Sequence, residues 1–173
     1  GLLSLMVGQQ ARQAARTDAA GNLVLLAEQD RTLWDKAQMI EAQVLVEKAL
    51  RLGQVGPFQI QAAISALHNQ AETFAQTDWP QIRLLFQALL RQQDTPVIRL
   101  NYGIALAKEF GAKEGLKFIQ TLAEPLKHYA PYFVAQGALL KELGQPDEAI
   151  RAYRKALDCS ENKSNCAFYQ REI

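Results

Sequence analysis

Apolar residues recur along this chain at three- and four-residue intervals, with small residues set at fixed places among them. From Tyr129 to Leu157 the pattern is densest. Phe133, Gly137 and Leu140 fall on one stripe of a predicted first helix, and Ala149, Tyr153 and Ala156 on one stripe of a second. Small residues there let two helices approach closely, and the aromatic fills the wedge between them. Gly144 ends the first helix, while Gln145-Pro146 with Asp147 and Glu148 opens the second, with proline at its first position and acids in its first turn.

The same spacing returns 34 residues upstream, since 137 − 103, 149 − 115, 153 − 119 and 156 − 122 agree. Gly103, Gly115, Ile119 and Leu122 thus match Gly137, Ala149, Tyr153 and Ala156, in a copy from Thr95 to Leu122. Thr95-Pro96 is its helix start and Gly111 its stop, with Arg99 where the later copy has the aromatic. A further echo through Gln61–His68 and Gln81–Leu90 puts Leu85 and Ala88 in register with Ile119 and Leu122. Thirty-four residues is the period of the tetratricopeptide repeat (TPR), a helical hairpin that cannot bury its apolar face alone and stacks on neighbours. The expected fold is therefore all-α: stacked helical hairpins in a TPR-like right-handed solenoid, with an irregular loop near the N-terminus. Such arrays present surface to another polypeptide.

Ahead of the repeats, a helix is predicted over Leu2 to Ala15, and its abrupt apolar start reads as truncated. Arg16 to Asp35 lacks helical periodicity; Asp18 to Asn22 reads as a turn and Leu23 to Leu26 as a short extended or buried run. Loops of that length inside a helical domain are uncommon and often functional. Asp35 to Leu52 follows as a helix with Met39, Ala42, Val46, Ala49 and Leu50 on its buried face, closed by Gly53. Gly56-Pro57 opens a helix over Phe58 to Asn69, and Asp78 with Gln81 forms a capping box for another. Ser160 is read as the cap of a terminal helix through Tyr169. The organisation is one helical domain over 1–173: N-terminal helices and loop over 1–55, repeats over 56–158, and a capping helix over 160–173.

Composition narrows the function. Hydrophobic residues make up 49%, alanine, leucine and glutamine dominate, and alternating β-branched runs are almost absent. With 19 basic against 18 acidic residues the net charge is +1, so no field exists to hold a phosphate backbone, and no direct nucleic-acid binding is expected. The opening GLLSLMVG has neither a basic leader nor the length for a signal peptide or membrane span, which points to a cytoplasmic protein without membrane contact. Whether Gly1 is native or a tag remnant stays open. Cys159 and Cys166 lie seven apart, with His68 and His128 far off, so both read as free thiols and no metal or cofactor is expected. His68 and Asp78 could form an acid–base pair, but no nucleophile accompanies them, and an enzyme is not expected.

Interaction residues are sought on the repeat groove and in the loop. The carboxylate clamp of some TPR proteins needs lysine, arginine and asparagine at groove positions; Asn101 fills one, but Pro131 and Ala135 stand where the cations belong. Leu100, Ile104, Val134 and Ala138 are read as facing the groove, which would then hold an apolar element, either an amphipathic helix of a partner or a segment of the same chain. In the loop, Asp30 and Arg31 form an internal ion pair or a recognition edge, and Trp34, like Trp79, is a partner anchor or a core plug. Gln59 and Gln61 are placed to bond loop backbone.

One combination of blocks carries a family resemblance. LLAEQDRTLWDKA (Leu25–Ala37), preceded by Ala15, Arg16, Thr17 and Asp18, is followed in order by GPFQIQAAISALH (Gly56–His68), TDW (Thr77–Trp79) and PVIRLN (Pro96–Asn101). Together they resemble the C-terminal extension of a subgroup of extracytoplasmic-function RNA polymerase sigma factors, in which a TPR-like domain follows the two sigma domains. The resemblance spans essentially the whole chain, departing at Tyr102-Gly103, where the family usually has a basic residue and alanine. It implies a fragment that regulates sigma activity through its own N-terminal sigma domains or the RNA polymerase core. The alternative is a stand-alone TPR-type scaffold binding a cytosolic peptide or small ligand; oligomeric state is left open.

Overall fold

The described residues of this computed structural model, 1–160 and 162–173, form nine α-helices and three short 3-10 turns, with no strand among them. They divide into two units, one of residues 1–20 with 24–93, the other of 21–23 with 94–173.

In the first unit α1 (Leu2–Gln10) packs against α2 (Lys36–Arg51) and α3 (Pro57–Gln70), and α3 also packs against α4 (Trp79–Gln92). The helix expected to reach Ala15 stops at Gln10. Arg12 leaves helical geometry (φ −100°, ψ 2°), and a 3-10 turn over Gln13–Ala15 follows. No glycine or proline marks this break. Its cause is tertiary: Ala11, Arg12 and Ala15 are all drawn into the interior.

Asp35 caps α2 as its Oδ1 accepts from Gln38 N at 3.0 Å, and buried Ser4 Oγ donates to Ala42 O at 2.7 Å, tying α1 to α2. Of the predicted α2 face, Ala42 and Val46 are buried, Met39 and Ala49 half-buried, and Leu50 exposed. Residues at i, i+4 and i+8 drift about 80° around a helix of 3.6 residues per turn, which carries Leu50 off the seam. At the head of α4, Asp78 Oδ1 accepts from Gln81 N at 3.0 Å. Replacing Asp78 by alanine should cost about 1 kcal/mol in thermal unfolding, with the fold retained. The upstream echo is out of register in burial, because Ile82 and Leu89 are the inaccessible residues of α4 while Leu85 and Ala88 are only half-buried.

The second unit is a run of hairpins, α5 (Pro96–Phe110), α6 (Ala112–Gln120), α7 (Ala130–Glu142), α8 (Pro146–Asp158) and α9 (Lys163–Arg171), each packed on the next. Thr95 Oγ1 accepts from Ile98 N at 3.3 Å, while Gly111 and Gly144 turn the chain at φ +99° and +72°. A Cβ on Gly103 would lie 2.5 Å from Ile119 Cγ2, and one on Gly137 would lie 2.9 Å from the Tyr153 ring. The 34-residue period is thus a repeated contact: a glycine on one helix seats the large side chain of the next. The terminal helix begins at Lys163, after the predicted Ser160, with Asn165 N donating to Asn162 Oδ1 at 3.3 Å. Its Phe168 and Tyr169 are buried.

Candidate functional site

The loop before α2 is organised around an indole. Trp34 is 3% exposed, with the Arg31 guanidinium 4.5 Å and the Arg12 guanidinium 5.7 Å from the ring centroid. Arg31 Nη1 donates to the carbonyls of His68 and Ala71 at 2.7 and 2.6 Å, so it caps the C-terminus of α3, where the helix dipole favours a cation. Asp30 does not pair with it. Its Oδ1 accepts from Thr32 N and Thr32 Oγ1 at 2.9 and 2.6 Å, bonds that hold its carboxyl below the usual range. Of the two readings of Asp30 and Arg31, the internal ion pair is not formed, and local geometry explains why: an N-cap carboxylate turns toward its own backbone. Trp34 is likewise a core plug and not an exposed anchor. Asp35 N closes the loop by donating to Ala11 O at 2.8 Å.

Around the plug, guanidinium groups gather. Gln9 Oε1 accepts from both Arg12 Nη2 and Arg16 Nη2. Burial, with added repulsion from Arg16 and Arg31, lowers the Arg12 guanidinium to about 10. His68 packs edge-on to Trp79 at 5.3 Å, and Trp79 meets Phe74 at 5.2 Å. Burial, then Arg12 and Arg31, lowers the imidazole of His68 from 6.5 to about 4. The folded state therefore holds neutral histidine. Below pH 6.5 the unfolded chain takes up a proton that the folded chain refuses until about pH 4. Stability contributed by His68 should be complete above pH 6.5 and fall by about 3 kcal/mol down to pH 4, a slope that His68→Gln removes in urea titrations across that window. Asp78 caps α4, and Gln59 Nε2 donates to Gln54 O at 3.0 Å as expected of it.

On the repeats, the predicted groove residues separate. Asn101 and Ala138 are exposed, Ile104 and Val134 half-buried, and Leu100 is 2% exposed. Leu100 shares a stripe at i, i+3 and i+7 with buried Gly103 and Ala107, the side turned to α6, so it belongs to the core and not to a groove.

Two surfaces escaped the sequence reading. In the first unit, α2 leaves Ile40 and Val44 exposed at 67% and 51% beside an apolar slot of about 230 Å³, which α3 closes with Ala62, Ser65, Ala66 and Asn69. On α1, Leu2, Leu3 and Met6 are exposed too. In the second unit a groove of about 760 Å³ runs between α6 and α8 with α7 as its floor. Lys113 and Lys117 of α6 line one side, and Arg151 and Lys155 of α8 the other.

The fold is that of an all-α protein of stacked helical hairpins, and none of its described helices is long and apolar enough to cross a membrane. Residues 1–50, which hold α1, the loop and most of α2, match a family of unknown function (DUF6596). An uncharacterized protein of Rhizobium meliloti (strain 1021) is 43% identical over 173 residues; the match takes in all of this chain and 41% of that relative. The chain thus spans about two fifths of the length of the curated relative it matches.

Proposed function

We propose that this chain is the regulatory, protein-interacting C-terminal part of an extracytoplasmic-function sigma factor, acting in the cytoplasm on its own sigma domains or on the polymerase core. The exposed apolar face of α2 carries the reading: Ile40 and Val44, one turn apart, flank a slot able to take a partner's side chain. Support also comes from the ordered sequence blocks that resemble such extensions and from a relative that is much longer than this chain. In this reading the Arg31–Trp34–Arg12 stack is scaffolding that fixes α2 against α3, and the contacts are made by α1 and α2.

Titration calorimetry of this chain against separately expressed sigma domains of the longer protein, and against core polymerase, tests the proposal. Binding to one of them is expected, weakened roughly tenfold or more by the pair Ile40→Glu and Val44→Glu. Heat of binding to neither would overturn it.

A further inference from the structure

Lysines of the second unit whose side chains are described fall into two groups. Lys108, Lys127 and Lys141 each reach a carboxylate, at Glu142 (3.1 Å), Glu124 (2.6 Å) and Glu172 (2.9 Å). Lys113, Lys117 and Lys155 have no ion-pair partner among the described residues, Lys155 Nζ lying instead 5.7 Å from the centre of the Phe133 ring, and all three line the α6–α8 groove. Arg151 stands with them, and Glu148, 3.7 Å from Arg151, is the one acid of the lining. Four cations against one anion, in a chain whose net charge is only +1, is a local segregation of charge.

The floor is different in kind. Leu116 and Leu140, 8% and 7% exposed, lie at its base beside Gln136, and Leu143 is 38% exposed at its edge, so the groove joins a narrow apolar strip to flanking cations. Lysine stems extend that apolar surface toward the rim. The spacing is regular: Lys113 to Lys117 and Arg151 to Lys155 are each one helical turn, about 6 Å along the axis. A helix laid in the groove and carrying acids at the same interval on both flanks would meet both rows while its leucines face the floor.

We infer that this groove docks an acidic amphipathic helix of a partner protein. Charge complementarity is the argument, and it is independent of the sigma-factor reading because it concerns neither α1 nor α2. Nucleic acid is the poorer match. A phosphate backbone gains nothing from the leucine floor, and the chain as a whole offers it no attractive field.

Fluorescence anisotropy on this 173-residue chain decides the matter. The probe is a labelled synthetic helix of about four turns, with leucines along one stripe and glutamates flanking it. Controls are the same peptide with lysine for each glutamate, and single-stranded and duplex DNA and RNA oligonucleotides. Binding of the glutamate peptide is expected, weakening as salt rises. The Lys113→Glu, Lys117→Glu, Lys155→Glu triple variant should weaken it by roughly tenfold or more and confer affinity for the lysine peptide. A second triple variant with glutamine at these positions, its melting temperature matched to the parent, separates lost charge from lost fold. No binding of the glutamate peptide, affinity unchanged in both variants, or preference for an oligonucleotide would overturn the inference.

Discussion

Trp34→Ala should destabilise the first unit by about 3–5 kcal/mol, the range for truncating a fully buried aromatic. The ring is 3% exposed and lies against two guanidiniums, one of which also bonds two carbonyls at the end of α3. Without the indole, Arg12 keeps only Gln9 as a partner, and a buried cation with neither ring nor carboxylate is the costly outcome. Phenylalanine restores most of the volume and a ring face, so Trp34→Phe should cost well under half as much. Urea unfolding followed by the emission of Trp79 measures both. Near-parental stability of the alanine variant would mean that the loop is held by something other than this stack.

The second large effect concerns α5 and α6. A Cβ on Gly115 would sit 2.2 Å from Ala107 Cβ, 2.8 Å from Ala107 Cα and 2.9 Å from Gly103 O. Backbone atoms cannot swing aside as a flexible side chain can, so any side chain must push the two helices apart. Gly115→Ala gains about 1 kcal/mol in helix propensity, yet overpacking of this severity outweighs it. Gly115→Val should cost about 3 kcal/mol. Ala107→Gly removes the shortest of these contacts and should recover part of the loss in Gly115→Ala, beyond the cost of the glycine itself. Circular dichroism melts of the single and double variants read the coupling. Strict additivity would contradict the close approach.

That same pair marks what the sequence disclosed and what it withheld. Periodicity located both hairpins, their capping residues and the 34-residue contact of Gly103 with Ile119 and Gly137 with Tyr153, because these depend on local spacing. Spacing alone makes Gly115 the counterpart of Ala149; its reason lies across the hairpin at Ala107, where the other copy carries Lys141. Non-local partners also decided the early part of the chain. Arg12 ends α1 by turning inward to Trp34, and no local breaker announces it. Repeat position alone puts Leu100 in a groove, whereas the stripe it shares with Gly103 and Ala107 puts it in the core. The cation-lined groove was hidden for a simpler reason. Lys113 with Lys117, and Arg151 with Lys155, each look like an ordinary solvated helix face until α6 and α8 are set side by side.

Promoter-dependent run-off transcription tests the central claim most directly. Core polymerase would be reconstituted with the longer protein that the proposal implies, either intact or lacking the segment equivalent to residues 1–173. The account predicts a clear change in transcript yield on removing the segment, reproduced in part by the Ile40→Glu, Val44→Glu pair with the fold intact. Equal transcript from the intact and shortened proteins, at equal occupancy of polymerase, would contradict it.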